Sequence, residues 1–421
     1  MARRLETMVN RRIQAVVEAR LLEESVLLLQ GPRSVGKSTL LNAIAKRYQV
    51  PIIDLDEIAT KDAVASDPTL FMGGASPVLV DEYQKVPLIL NAIKAELRTK
   101  TAPGRFLLTG STRHEALPEI AEALSGRLHL MQIYPLTQEE LEGNKNDLLE
   151  KLINDPSSAI SASSSHTKRE DYVEKLLAGG FPLALNRPST ASRNRWIDDY
   201  VKLTLENDAR SITKFRQGAA LENVLMQLAG QTGQILNMNK VAHDLGYAKD
   251  LVQRHTKLLQ DVFLVHKLDA WGKTLSSRSS SLPKIHVTDS AIAARLLRLT
   301  STKLLSRDAT ALTEFGHLLE SFVVNEIIRK VSWMDGISGV GHWRTHDGEE
   351  IDLVIELDDG GVVVFEVKSG TRVADADLKH MKTLRDKLGG NFKAGVAFHL
   401  GERSYTSMDR IHVMPVDRLW L

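Results

Sequence analysis

The run Gly31-Pro32-Arg33-Ser34-Val35-Gly36-Lys37-Ser38 places two glycines, a lysine and a hydroxyl at the spacing G-x-x-x-x-G-K-[ST]. Glycines let backbone amides wrap an anion at a helix N-terminus, the lysine reaches the β and γ phosphates of a nucleotide, and the hydroxyl ligates Mg²⁺. Gly31 through Thr39 is therefore the candidate ATP cradle, with Lys37 on the phosphates and Ser38 on the metal. Farther on, the apolar run Val78-Leu79-Val80 delivers Asp81 and Glu82 to a strand end, the edge at which parallel α/β sheets bind ligands. Asp81 is expected in the Mg²⁺ shell, and Glu82 is expected to orient or deprotonate the attacking water. Phe106-Leu107-Leu108-Thr109-Gly110-Ser111 ends a third run in hydroxyls. Ser111, or Thr109, either senses the γ phosphate or caps the next helix. Arg127 precedes the strand-like LHLMQIY. It is either a surface arginine or a cation that completes a neighbouring subunit's site.

A second constellation lies in the tail, where FEVKSG carries Glu366 and Lys368. Side chains two apart on a strand share a face, so these two point the same way. Upstream, IDLVI carries Asp352, and Asp358-Asp359-Gly360 forms the turn between the two runs. A three-residue loop with Gly360 in the left-handed position sets Asp352 opposite Glu366, whereas a two-residue loop would put them on opposite faces. Facing carboxylates repel unless a cation lies between them, so the first register predicts a Mg²⁺ or Mn²⁺ site. Glu320, in GHLLESFVV, is expected to add a third oxygen, with Lys368 steadying a water or a leaving oxyanion.

The elements that must position these groups follow from periodicity. From Leu21 to about Leu136, short apolar runs alternate with amphipathic segments, the rhythm of a parallel α/β sheet with crossover helices. PSSAISASSSH, residues 156–166, reads as a flexible connection, and 168–210 reads as helical. Residues 221–268 show three helical patterns and a strand-like FLVHKL. The third helix, from Lys249 to Leu259, carries Gln253, Arg254, His255 and Lys257. A helix–turn–helix places such a helix in the major groove of DNA. The strands that follow would form a wing in which Lys273, Arg278 and Lys284 add phosphate contacts, although winged helices also serve protein–protein contact. In the tail a helix is expected over 312–330, strands over 350–357 and 361–368, a helix over 375–388, and strands over 393–399 and 410–415.

Composition narrows the classes. At roughly 100–200 residues per domain, a chain of 421 residues holds two to four domains. With 43% apolar and 25% charged residues and a net charge of +1, any nucleic-acid surface must be a local patch. The chain has no cysteine, which excludes disulfides, thiolate metal sites and cysteine nucleophiles. No apolar run reaches the roughly 18 residues of a membrane span. The start, MARRLETMVNRR, lacks the apolar core of a signal peptide. A cytoplasmic protein is expected.

Taken together, these motifs resemble the AAA+ superfamily, in which Ser125-Gly126-Arg127 looks like the arginine-finger box at subunit interfaces. GPRSVGKSTLL, VLVDEYQKVP, LLTGS and IYPLTQEE are similar to a prokaryotic family of ATPases whose C-terminal half is the domain of unknown function 4143. LAGGFPLAL, WIDDYVKLTLENDA and GHLLESFVVNEI follow that family's pattern too, so the resemblance spans nearly the whole chain. It implies ATP binding and hydrolysis. A lid arginine that senses nucleotide would be Arg187, Arg193 or Arg195, with the serine-rich insertion as a departure from the pattern. Glu320, Asp352, Glu366 and Lys368 resemble the constellation of the PD-(D/E)xK nuclease fold. The expected architecture is an AAA+ core over 1–150, a helical lid over 151–215, a winged-helix-like module over 216–300 and a nuclease-like α/β domain over 301–421. Three functions compete. The first is an ATPase, as a ring hexamer, acting on DNA. The others are an ATP-gated metal-dependent nuclease, and a nucleotide switch in host defence or a toxin–antitoxin pair.

Overall fold

The computed structural model of the chain describes residues 9–99, 101–113, 115, 124, 126–212, 218–272, 282–306 and 308–421, the side chains of 210 and 211 apart. Its first sheet is built from runs apolar on both faces, the pattern of a parallel sheet covered by helices. In β1 (Val26–Gln30) Val26 and Leu28 pack to one side and Leu27 and Leu29 to the other. β2 (Ile52–Asp54), β3 (Val78–Asp81), β4 (Phe106–Gly110) and β5 (Leu128–Gln132) complete it in the order β2-β3-β4-β1-β5, all parallel. This order brings the ends of β1, β3 and β4 side by side, and with them the phosphate loop, the acid pair and Thr109.

The middle of the chain is helical to Ile212, then carries the helices Gly218–Gly230, Met238–Leu245 and Lys249–Asp261. Three short strands, β6 (Gln234–Ile235), β7 (Val265–Leu268) and β8 (Lys284–Val287), pair antiparallel in the order β6-β8-β7. Lys273 and Arg278, and Ser125 of the arginine box, lie outside the described residues.

The tail forms a six-stranded mixed sheet of β9 (Ile337–Arg344), β10 (Glu350–Leu357), β11 (Val362–Val367), β12 (Phe392–His399), β13 (Tyr405–Met408) and β14 (Ile411–Pro415), in the order β13-β14-β12-β11-β10-β9. Helix Ala309–Val331 covers one face through Leu319, Phe322 and Val323. Helix Lys379–Leu388 covers the other through Met381, Leu384 and Leu388, spaced as one helical stripe. β10 and β11 close as a hairpin with Leu353 opposite Phe365 and Val354 opposite Val364, the register of a three-residue loop. Gly360 sits there at φ +77, a conformation that side chains with a Cβ rarely adopt.

Two sequence expectations change. β9 and β13 were not anticipated, because ISGVGHWR is interrupted by glycines and YTSM is polar. The serine-rich stretch is not a free linker. Ser165 and Thr167 donate hydrogen bonds to the buried carboxylate of Asp417, and Arg418 donates to the carbonyl of Ser163 at 2.6 Å. Small hydroxyl residues read as flexible unless a buried acceptor holds them, and the acceptor here comes from the other end of the chain.

Candidate functional site

The phosphate loop leaves β1 and turns into helix Lys37–Tyr48. Gly31 lies so close to the next strand connection that a Cβ would stand 2.1 Å from the carbonyl oxygen of Ile133, so only glycine fits. Lys37 is buried and its Nζ donates to the carbonyls of Gly31 and Pro32, each at 2.8 Å. Burial lowers its amine to about 8, against the pull of Glu82 and Asp81, which raise it. Lys37 is thus a cation held by neutral oxygens, with carboxylates nearby but none bonded to it. Ser38 and Thr39 open the helix and are exposed.

Asp81 ends β3 and accepts a hydrogen bond from the Thr109 hydroxyl on β4. Glu82 follows in the left-handed region at φ 54, a strain of about 1–3 kcal/mol. Its amide donates to Thr109 Oγ1 at 3.2 Å, and its Oε2 accepts from Ser111 Oγ at 2.8 Å and from Gln84. Thr109 and Ser111 therefore both bond the acid pair, and each acid has its own hydroxyl.

Several groups at this site were not singled out by the sequence reading. Gln84 braces Glu82 and Ser111. Arg11 donates to the carbonyl of Val35 in the loop, to that of Tyr134 at 2.8 Å and to Glu140 at 3.1 Å. Asp208, in the π-helical turn Thr204–Asp208, is another, and it takes the side chain of Arg33, already placed in the loop, at 2.8 Å. Such turns cluster at functional sites. These partners lie far apart in sequence, and only the loop motif itself gave a signal. The middle region thus meets the loop through an acid. Of the three arginines considered, Arg193 is buried, and Arg187 and Arg195 are exposed.

Arg127 is exposed and sits just before β5 begins at Leu128, which pairs with Val26. It therefore stands at the end of the sheet away from the phosphate loop, separated by a five-residue strand of about 16 Å.

On helix Lys249–Asp261, Lys249, Gln253, Arg254 and Lys257 are exposed, and Lys257 pairs with Asp261 at 2.8 Å. His255 is buried and cannot face a groove. Lys284, expected among the wing's phosphate contacts, is also buried. Its Nζ lies 2.8 Å from Glu320, 2.6 Å from Glu350 and 2.9 Å from Asp352.

That placement bears on the tail constellation. Glu320, Asp352 and Glu366 do come near one another, with Lys368 Nζ on Glu366 at 2.8 Å and Asp352 Oδ2 accepting from the amide of Val367 at 2.9 Å. An ammonium group nevertheless fills the space between Glu320 and Asp352. Among the described residues no group of three or more His, Cys, Asp or Glu is arranged to hold a metal ion. The metal expected from facing carboxylates does not fit here, because a lysine from another module already supplies the positive charge. Burial pushes the Glu366 carboxyl up to about 8, with Asp352 adding to the effect.

A parallel sheet with a phosphate loop after its first strand and an acid pair after its third defines a P-loop nucleotide hydrolase. Comparison with known proteins makes this particular. Residues 23–142 match the AAA domain family, residues 315–419 match the domain of unknown function DUF4143, and residues 169–303 match the domain of unknown function DUF8612. The chain is an AAA-type ATPase with a DUF4143 domain at its C-terminal end. The DUF8612 match crosses the boundary expected near residue 215. An uncharacterized protein of Mycobacterium tuberculosis is 25% identical over 396 residues, covering 94% of this chain and 80% of that protein. An uncharacterized protein of Haemophilus influenzae is 25% identical over 317 residues, covering 72% and 69%. Among solved structures, a Walker-type ATPase of Pyrococcus abyssi aligns with a TM-score of 0.42 at 13% identity, covering 70% of this chain and 97% of its own. The Thermotoga maritima RuvB Holliday junction branch migration motor aligns at 0.29 and 17%, covering 63% and 91%. Among the described residues no helix is long and apolar enough to cross a membrane.

Proposed function

We propose that ATP hydrolysis in this chain drives a change in how its middle module holds DNA. The observation that carries this reading is the middle module's order of elements. A helix, a short strand, two helices joined by a tight turn, and two further strands follow one another, with β8 central in the sheet. That is the order of a winged helix, and its second helix of the pair turns Lys249, Gln253 and Arg254 outward.

At the nucleotide site, Lys37 would release the loop carbonyls and bind the β and γ phosphates. Ser38 and Asp81 offer the hard oxygens that Mg²⁺ prefers, and the ion would supply charge neutralisation on the phosphates. Glu82, positioned by Ser111 and Gln84, would take the proton of the attacking water. Arg127 stands too far from its own loop to act there, which supports its action on a neighbouring subunit in a ring hexamer.

Fluorescence anisotropy with labelled duplex tests the DNA reading. Arg254→Glu and Lys249→Glu should each weaken binding at least tenfold at low salt, and wild-type affinity should fall steeply as salt rises. Equal binding by both variants and wild type sinks it.

A further inference from the structure

Lys284 is buried at 1% exposure, and it belongs to β8 of the middle module rather than to the domain whose acids hold it. Its three partners come from two elements of the tail, Glu320 from helix Ala309–Val331 and Glu350 and Asp352 from β10. Glu350 and Asp352 each use their second oxygen elsewhere. Glu350 Oε2 accepts from Arg344 at 2.7 Å and Asp352 Oδ2 accepts from the Val367 amide. Glu366 Oε2, beside this group, is buried and has no partner. The chain around Lys284 is fixed as well. Its strand pairs on both sides, and after β7 Trp271 donates its amide to the carbonyl of His342 on β9 at 2.6 Å.

We infer that the Lys284 ammonium is a tethered cation at the centre of the tail's acidic cluster, closing it to a divalent ion while locking the middle module onto the C-terminal sheet. A divalent ion bound by the same oxygens would need ligand distances of about 2.0–2.6 Å. An ammonium within 2.6–2.9 Å of those oxygens occupies that volume and repels a second cation. Burial by itself would lower the amine of Lys284, but Asp352, Glu320 and Glu350 outweigh it and hold the group well above the ordinary lysine range. The Lys284 amine therefore keeps its proton through the neutral range. Removing the ammonium leaves carboxylates facing one another with no cation between them. This inference stands on the cluster's geometry alone and does not depend on the DNA reading.

The test uses nucleotide-free full-length chain and follows free Mn²⁺ by its electron paramagnetic resonance signal. Wild type and Asp352→Asn should bind the same amount of Mn²⁺. Lys284→Ala should gain one Mn²⁺ per chain, and Lys284→Ala/Asp352→Asn should lose it again. Thermal melts should show Mn²⁺ stabilising Lys284→Ala but not wild type. Wild type that binds a Mn²⁺ absent from Asp352→Asn overturns the inference, and so does a folded Lys284→Ala that gains no Mn²⁺. Should Lys284→Ala not fold, the wild type and Asp352→Asn pair still decides, since equal Mn²⁺ binding supports the clasp and a difference refutes it.

Discussion

Two lysines, both buried, sit among acids in separate regions of this chain and behave in opposite ways. Lys37 bonds only to backbone carbonyls, and burial brings its amine down to about 8. Lys284 bonds to three carboxylates, which hold its amine up. A cation left short of negative charge is prepared for an anionic ligand, whereas a cation already neutralised by its own chain is a structural tie. Acids near a lysine are therefore a poor guide to function until their bonding is known. At Lys37 the acids are nearby and unbonded, and at Lys284 they close on it.

The largest expected effect lies at the first site. Glu82→Gln should lower ATP turnover by roughly 10²–10⁴-fold while leaving nucleotide bound, the usual range for loss of a general base. Comparing steady-state phosphate release with nucleotide retention on a filter checks both halves. At the second site, Lys284→Ala should cost about 3–5 kcal/mol of stability, the usual penalty for leaving a buried ion cluster uncompensated. Urea denaturation would read this as a lower midpoint. A shift no larger than that of a surface lysine variant would erase the contrast between the two lysines.

The first site was the more legible of the two. The loop, the acid pair and the strand rhythm are local patterns, so Gly31 through Thr39, Asp81 and Glu82 could be placed without knowing the rest of the chain. The hairpin register around Gly360 was local as well, and it set Asp352 across from Glu366. What local pattern could not show was the filling of the second site. Lys284 lies 68 positions from Asp352, in a strand read as part of a DNA-facing wing. PKIHV alternates Lys284 and His286 with Ile285 and Val287, the pattern of a strand with one solvated face, so nothing local signalled that the lysine is buried. Asp208 lies 175 positions from its partner Arg33 and gave no signal at all.

The pH dependence of the two lysines sharpens the comparison further. Phosphates bind the charged amine, so ADP affinity should fall as pH rises through about 8, the point at which Lys37 in the empty loop loses its proton. Lys37→Arg, whose guanidinium keeps its charge, should flatten the profile between pH 7 and pH 9. The Lys284 amine should keep its proton over this range, whereas the neighbouring Glu366 carboxyl, pushed up to about 8 by burial and Asp352, titrates within it, so stability should fall as pH rises toward 8. Isothermal titration of ADP across these pH values, with thermal melts alongside, separates the two. The smallest effect is expected at the contact between them in sequence. Asp208→Asn frees the partly exposed Arg33 and removes a buried carboxylate whose charge burial already opposes, so stability should change by no more than about 1 kcal/mol, and the measurable consequence should be a change in nucleotide affinity.

The most direct measurement is phosphate release from ATP by full-length wild type and Glu82→Gln, with no DNA, duplex DNA and branched DNA. Turnover that rises with at least one DNA form and disappears in Glu82→Gln is the predicted result. Turnover indifferent to every DNA form, or undiminished in Glu82→Gln, would contradict the coupling of this nucleotide site to DNA.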